Sequence, residues 1–102
     1  MPTEGQAAAY SAVSHYLKAI AAAGTIDGLT VMNKMKELPV DDVFAHEATL
    51  RVDGRLMKDL YLVEVKNKGE VKEEWDLPKT RLLLKAEDVI RPLSEGYCPF
   101  VK

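Results

Sequence analysis

The chain has 102 residues, with 14 lysines and arginines against 16 aspartates and glutamates, and a formal net charge of −2 at pH 7. This length suits one small domain, residues 1–102, with a single modest core. A composition of 47% hydrophobic and 29% charged residues excludes a disordered chain. One cysteine excludes an internal disulfide, and the weak acidity gives no electrostatic reason to expect nucleic acid as a partner.

The first residues carry no recognisable targeting signal. Glu4 comes early, and no basic segment precedes an apolar run, so we expect no secretory signal peptide in this chain. The alanine-rich run at residues 19–23 is far shorter than the ~20 residues of a membrane span.

Residues 3–23 are predicted to form one long helix. Thr3 and Gln6 have the spacing of a capping box, and Gly24 suits the position that follows a helix C-terminus. Apolar residues recur at intervals of three and four, which predicts one stripe facing the core. These residues are Tyr10, Val13, Leu17 and Ile20.

A second helix is predicted to begin at a cap formed by Thr25 or Asp27 and to end at about Leu38, before Pro39. Its predicted apolar side comprises Leu29, Met32 and Met35. The connection at residues 40–47 has no clear period.

From residue 49 onward the pattern becomes extended. Residues 49–52 and 56–66 are predicted strands, joined by a hairpin turn at Asp53-Gly54, and residues 80–85 are a third strand. Both faces of the middle strand are apolar, so both should be covered. Trp75 ends a charged loop, and we interpret it as a packing anchor. The predicted fold class is α/β: two helices followed by a β-hairpin and a third strand, with the sheet mixed or antiparallel.

The reactive residue types form no recognisable active site. His15 and His46 lack a third ligand for a metal, and we interpret both as surface or boundary residues. Cys98 has no nearby base in the sequence, which favours an unreactive or intermolecularly paired thiol. Asp41 and Asp42 follow a helix end and are interpreted as a solvated turn. The sequence thus predicts no catalytic residue, metal or cofactor, and no enzyme.

Four segments together resemble one family. The stretch at residues 51–66, RVDGRLMKDLYLVEVK, resembles a strand, turn and long strand found in the periplasmic substrate-binding proteins of branched-chain amino-acid ABC importers. Residues 2–13 and 17–25, which span most of the predicted long helix, are similar to parts of the same proteins, as are the segment 31–40 and the tail at residues 91–102. The resemblance covers essentially the whole chain.

Full members of that family are clamshells of two lobes, several times longer than this chain. The resemblance therefore implies a C-terminal fragment, forming part of one lobe, of the substrate-binding component of an ABC importer. Such a protein is non-catalytic and periplasmic, carries a branched-chain or related amino acid, and has an ABC permease as partner. We expect the fragment alone to be unable to bind ligand. The identity of the ligand stays open among branched-chain amino acids, amides, urea and aromatic acids.

The resemblance also implies which residues face the ligand. In the family the N-terminal end of this long helix faces the cleft between the lobes, and the matching residues here are Gly5, Gln6 and Tyr10. A helix N-terminus with free N–H groups suits a carboxylate. The alternative for Gln6 is a purely structural role in the capping box.

A fragment of such a fold has a physical problem. Its apolar strands at residues 60–63 and 82–84 would lack neighbours, which leaves open strand edges and exposed apolar surface. The sequence therefore predicts a homo-oligomer. The alternative function is a stand-alone dimerising interaction module derived from such a protein.

Overall fold

The computed structural model describes residues 2–99 and 101. Two helices come first, and a set of short antiparallel strands follows. In chain order the elements are α1 (Glu4–Ala23), α2 (Gly28–Glu37), β1 (Thr49–Leu50), β2 (Leu56–Met57), β3 (Leu60–Val65), β4 (Pro78–Leu84), α3 (Ala86–Val89) and a 3₁₀ turn (Leu93–Glu95). The predicted α/β class is confirmed, as is the order of two helices followed by a hairpin and further strands, whereas α3 and the 3₁₀ turn were not predicted. The tail resemblance at Phe100 and Lys102 lies outside the described residues.

Helix α1 has the predicted ends. The Thr3 hydroxyl accepts the N–H of Gln6 at 3.3 Å, and the Gln6 side-chain oxygen accepts the N–H of Thr3 at 2.9 Å, so the capping box is present. Gly24 adopts a left-handed conformation with φ of 68°, and its N–H donates to the carbonyl of Ile20. Within the described residues, no helix combines the length and apolarity that a membrane span requires.

Helix α2 begins at Asp27, one of the two predicted caps. The Asp27 carboxylate accepts the backbone N–H of Thr30 at 3.0 Å and its hydroxyl at 2.7 Å. Thr25 plays a secondary part, because its hydroxyl accepts the N–H of Asp27 at 3.2 Å. Thr25 and Asp27 therefore form the cap of α2 together, directly after the end of α1.

The predicted inward faces of both helices are wrong except at Ile20 and Met35, which are partly buried. Tyr10, Val13 and Leu17 are more than half exposed, and on α2 Leu29 and Met32 are exposed as well. The buried residues are Ser11, His15 and Ala19 on α1 and Val31 on α2. This face is turned inward because its polar residues find partners there: His15 bonds the carbonyl of Met35 on α2, and Ser11 bonds Asp42.

The hydrophobic core lies in the segment that was interpreted as a plain connection. Val40, Ala45 and Ala48 are buried together, and Phe44 and Leu56 pack around them. Val40 and Ala48 exchange two backbone hydrogen bonds, of 2.7 and 2.9 Å, which close the segment into a loop. Strands β1 and β2 continue the antiparallel pairing.

The predicted long strand at residues 56–66 is broken into β2 and β3. The break falls at Lys58 and Asp59, because the Asp59 carboxylate accepts the N–H of Ala86 at 2.9 Å and a hydrogen bond from Lys85 at 3.2 Å. These contacts tie the start of β3 to the start of α3. The hairpin turn itself is where it was predicted, with Gly54 at φ of 83°.

Strands β3 and β4 form a two-stranded antiparallel ribbon. The register runs from Leu60 opposite Leu84 to Val65 opposite Pro78, with an irregularity between Leu62 and Val63. Among the described elements, the ribbon strands make extensive contacts only with each other. The chain measures 53 × 32 × 18 Å, with a radius of gyration of 16.9 Å, whereas a compact domain of this size has about 13 Å.

The ribbon is uncovered on both sides. Its exposed apolar residues include Tyr61, Leu62, Val63, Val65, Leu82 and Leu83. The prediction that both faces are covered is therefore wrong within this chain. Trp75, predicted as a packing anchor, is also more than half exposed.

Candidate functional site

A groove of about 430 Å³ lies between α1 and the β1–β2 hairpin. This volume falls within the range of small-molecule sites. Most of the groove wall is apolar. The apolar lining residues come from both helices, the strands β1 to β3 and the segments between and after them: Ala8, Ala12, Met35, Val40, Phe44, Leu50, Leu56, Leu60 and Ile90. Such a wall suits an aliphatic group.

Three charged residues also line the groove. Glu4 comes from the first turn of α1, Arg55 from the hairpin turn and Lys58 from the break between β2 and β3. The Lys58 ammonium lies 4.2 Å from the centroid of the Phe44 ring, a cation–π contact. The groove therefore carries charges of both signs beside an apolar wall.

Asp42 joins residues 40–48, which we call the core loop, to α1. Its carboxylate accepts the Ser11 hydroxyl at 2.7 Å and the N–H groups of Phe44 at 2.8 Å and Ala45 at 3.0 Å. Burial alone would raise the pKa of Asp42, but these hydrogen bonds outweigh it and hold the pKa below its usual value. Asp42 is thus a structural anchor, whereas Asp41 is the exposed residue and bonds His46 at 2.8 Å.

His15 was interpreted as a surface or boundary residue, and this is wrong, because only 5% of it is exposed. Its Nε2–H donates to the carbonyl of Met35 at 2.8 Å, since a carbonyl can only accept. Met35 lies in the last turn of α2, where carbonyls lack a partner within the helix. His15 therefore caps α2 from the side while it packs α1 against it.

An arginine clasp holds the hairpin turn at the groove. Arg51 donates to both carboxylate oxygens of Asp53, at 2.9 and 2.7 Å, and to the carbonyl of Arg91 at 3.0 Å. The hydrogen bonds from Arg51 lower the pKa of Asp53 to about 2. The clasp orients the turn that carries Arg55 and ties down the segment after α3.

The residues that the resemblance assigned to the ligand do not line the groove. Gly5, Gln6 and Tyr10 are all exposed. Gln6 and Tyr10 are one turn apart on the outer side of α1, away from the face that carries Ser11 and His15. The Gln6 side-chain oxygen is used by the helix cap. The three residues are near one another, but the groove faces elsewhere.

Sequence reasoning missed the α1 residues at the groove because it sought large apolar side chains. A usable signal exists: small and polar residues recur at helical spacing at Glu4, Ala8, Ser11, Ala12 and His15. Within residues 2–99 and 101, no group of three His, Cys, Asp or Glu could hold a metal ion. Cys98 is a partly buried free thiol.

Comparisons with known proteins place this architecture. The sequence profile of a family described as periplasmic binding protein matches residues 1–70. The chain is 40% identical to a periplasmic binding protein from Burkholderia mallei, with a TM-score of 0.94 against its crystal structure; the match covers 100% of this chain and 27% of that one. No curated protein matches the sequence significantly.

A second crystal structure gives the same result. The chain is 39% identical, with a TM-score of 0.92, to a branched chain amino acid ABC transporter periplasmic ligand-binding protein from Burkholderia xenovorans LB400. The match again covers 100% of this chain and 27% of the relative. The α/β arrangement thus reproduces part of the periplasmic binding protein fold, over about a quarter of the length of either relative. The chain belongs to the periplasmic binding protein family.

Proposed function

We propose that the chain is part of the substrate-binding component of an ABC importer for branched-chain or related amino acids, acting in the periplasm without a catalytic role. One observation carries this proposal: the B. xenovorans ligand-binding protein has the same conformation over the whole chain at 39% identity. Because the match covers 27% of that protein, the proposed activity belongs to a complete fold, and the chain alone does not bind ligand.

The proposed ligand contacts are Gly5, Gln6 and Tyr10. They are exposed on the first two turns of α1, and the positive end of the helix dipole at Gly5 and Gln6 favours a carboxylate. The groove, with Glu4 among its lining residues, is the competing location. Gln6 and Glu4 lie on different sides of the same helix turn, so one experiment can separate the two sites.

The test uses a chimera, in which this chain replaces the matching stretch of the B. xenovorans protein. Calorimetric titration with leucine, isoleucine and valine should give saturable heat for the chimera and none for the chain alone. Absence of heat from a folded chimera contradicts the proposal. A panel of amides and aromatic acids then defines the ligand class.

Two variants of the chimera locate the ligand. Gln6→Glu retains the capping box but places a negative charge beside a bound carboxylate, so affinity should fall by about tenfold or more. Glu4→Gln, on the groove side, is the matched control and should not weaken binding, because it removes a negative charge from the same helix turn. The reverse pattern assigns the ligand to the groove.

A second candidate function is a stand-alone homo-oligomeric interaction module. The exposed apolar ribbon favours it, because such surfaces promote self-association. Light scattering of the chain at increasing concentration should then show a dimer or larger assembly. A chain that stays monomeric contradicts this candidate.

A further inference from the structure

The chain exposes more surface than a folded protein of its mass. Its accessible surface is 8005 Å², whereas a compact monomer of 11.3 kDa exposes about 5,700 Å². The excess is thus about 2,300 Å². An ordinary protein–protein interface buries about 800 Å² on each partner. The excess surface of this chain is larger than that and matches the larger interfaces of permanent complexes.

Part of this surface is one face of the β3–β4 ribbon, which we name the uncharged face. The register and the alternation of side chains place six residues on it: Tyr61, Val63, Val65, Pro78, Thr80 and Leu83. Tyr61 is 68% and Val65 is 80% exposed. None of these six residues is charged, so this face is free of charge along the whole ribbon, from the Tyr61–Leu83 pair to the Val65–Pro78 pair.

The opposite face of the ribbon carries charged side chains in the half that is farther from Leu60 and Leu84. There Glu64 pairs with Arg81, and Lys79 lies 3.7 Å from Glu70. Burying such ion pairs carries a desolvation penalty, so this face favours water. Of the two faces, the uncharged one is suited to permanent burial.

The length of the relatives supplies a candidate for what covers the uncharged face. Both crystal structures hold this conformation over the entire chain, ribbon included, while nearly three quarters of each relative lies outside the match. A two-stranded ribbon is marginal in water without further packing. We propose that the uncharged face is a docking surface for the remainder of a periplasmic binding protein fold, a polypeptide that supplies an apolar partner face.

The test compares two neighbouring residues on opposite faces. Val63 is 50% and Leu62 is 51% exposed, so Val63→Lys and Leu62→Lys make nearly the same change at equal exposure. In the ligand-free chimera, Val63→Lys should lower the melting temperature by about 5 °C or more, because a lysine is buried without a partner. Leu62→Lys should lower it by less than half as much. In the chain alone both shifts should be small.

Three results would overturn the proposal. The first is an equal or absent shift for the two chimera variants. The second is a wild-type chimera that does not fold, since the chain then fails to fit the remainder of the fold. The third is an isolated chain that forms a dimer which Val63→Lys dissociates, because a second copy then covers the face. The tests of docking and of ligand binding are independent. If the chimera shows the expected melting shifts but gives no heat on titration with amino acids, only the proposed function is rejected.

Discussion

The helical body of this chain buries polar side chains beside its apolar core, whereas the ribbon leaves even its apolar side chains exposed. The body buries Ser11 and His15, each hydrogen-bonded to a partner in the core loop or on α2. The ribbon leaves Tyr61, Val63 and Val65 exposed. Polar groups can be buried where partners from the same chain meet them, and apolar groups stay exposed where such partners are missing. The pattern of burial thus separates a helical body whose packing partners lie within the chain from a ribbon whose packing partners do not.

The largest expected effect contrasts two valines. Val31 is 1% exposed between the helices, so Val31→Asp places an unpaired charge in the body and should cost about 3–5 kcal/mol of unfolding free energy. Val63→Asp, on the ribbon, should cost less than about 1 kcal/mol in the isolated chain. Urea unfolding followed by circular dichroism measures both. Equal costs would mean that the ribbon is packed in the isolated chain.

The next contrast is between the two histidines. His15→Ala removes the donor to the buried carbonyl of Met35 and should cost about 2 kcal/mol. His46→Ala, whose side chain is 82% exposed, should cost under about 0.5 kcal/mol. The same unfolding assay applies. A His15 variant as stable as the His46 variant would show that the bond to α2 contributes nothing.

Ser11→Ala should have a smaller effect, of about 1–2 kcal/mol. It removes one of the bonds to the partly buried Asp42 carboxylate, while the two backbone donors remain. The pKa of Asp42 should rise toward its ordinary value, which NMR titration can follow. Ser14→Ala, elsewhere on α1, is the control. Unchanged stability and an unchanged Asp42 pKa would contradict the anchor role.

The smallest effect concerns acid. Asp53 has a pKa of about 2 in the folded chain and about 3.9 when unfolded. Since the folded pKa is depressed, its contribution is complete above about pH 4 and is lost as pH falls toward 2. Asp53→Asn should flatten the decline of unfolding free energy in this window, and Arg51→Met should flatten it as well. A decline as steep as in the wild type would show that the Arg51–Asp53 pair does not contribute to stability in this pH range.

Local features were predictable from the sequence, whereas packing faces were not. Thr3, Gln6, Gly24 and Asp27 act on their own helix ends, so their spacing was sufficient. The inward faces of α1 and α2 depend on which partner is present, and the bulky stripe of α1 has none among the described residues. The break before β3 depends on a bond from Ala86, 27 residues away, which no local pattern contains.

The candidate site was harder to predict for the same reason. The groove draws Glu4, Arg55 and Lys58 from three separate elements, and only the folded core loop brings them together. The resemblance led to the family, which is confirmed, and to Gly5, Gln6 and Tyr10, which remain a prediction. The clasp at Arg51 lay within the quoted motif, but its contact with Arg91 is distant in sequence.

Amide hydrogen exchange can show whether the rest of the fold covers the ribbon, because it measures the protection of the ribbon amides with and without that remainder. The amides of β3 and β4 are measured in the isolated chain and in the ligand-free chimera, with α1 as the internal reference. We expect rapid exchange of the ribbon amides in the chain alone and slowing by roughly 100-fold or more in the chimera. Equal protection in both contexts would contradict the claim that the rest of the fold covers the ribbon.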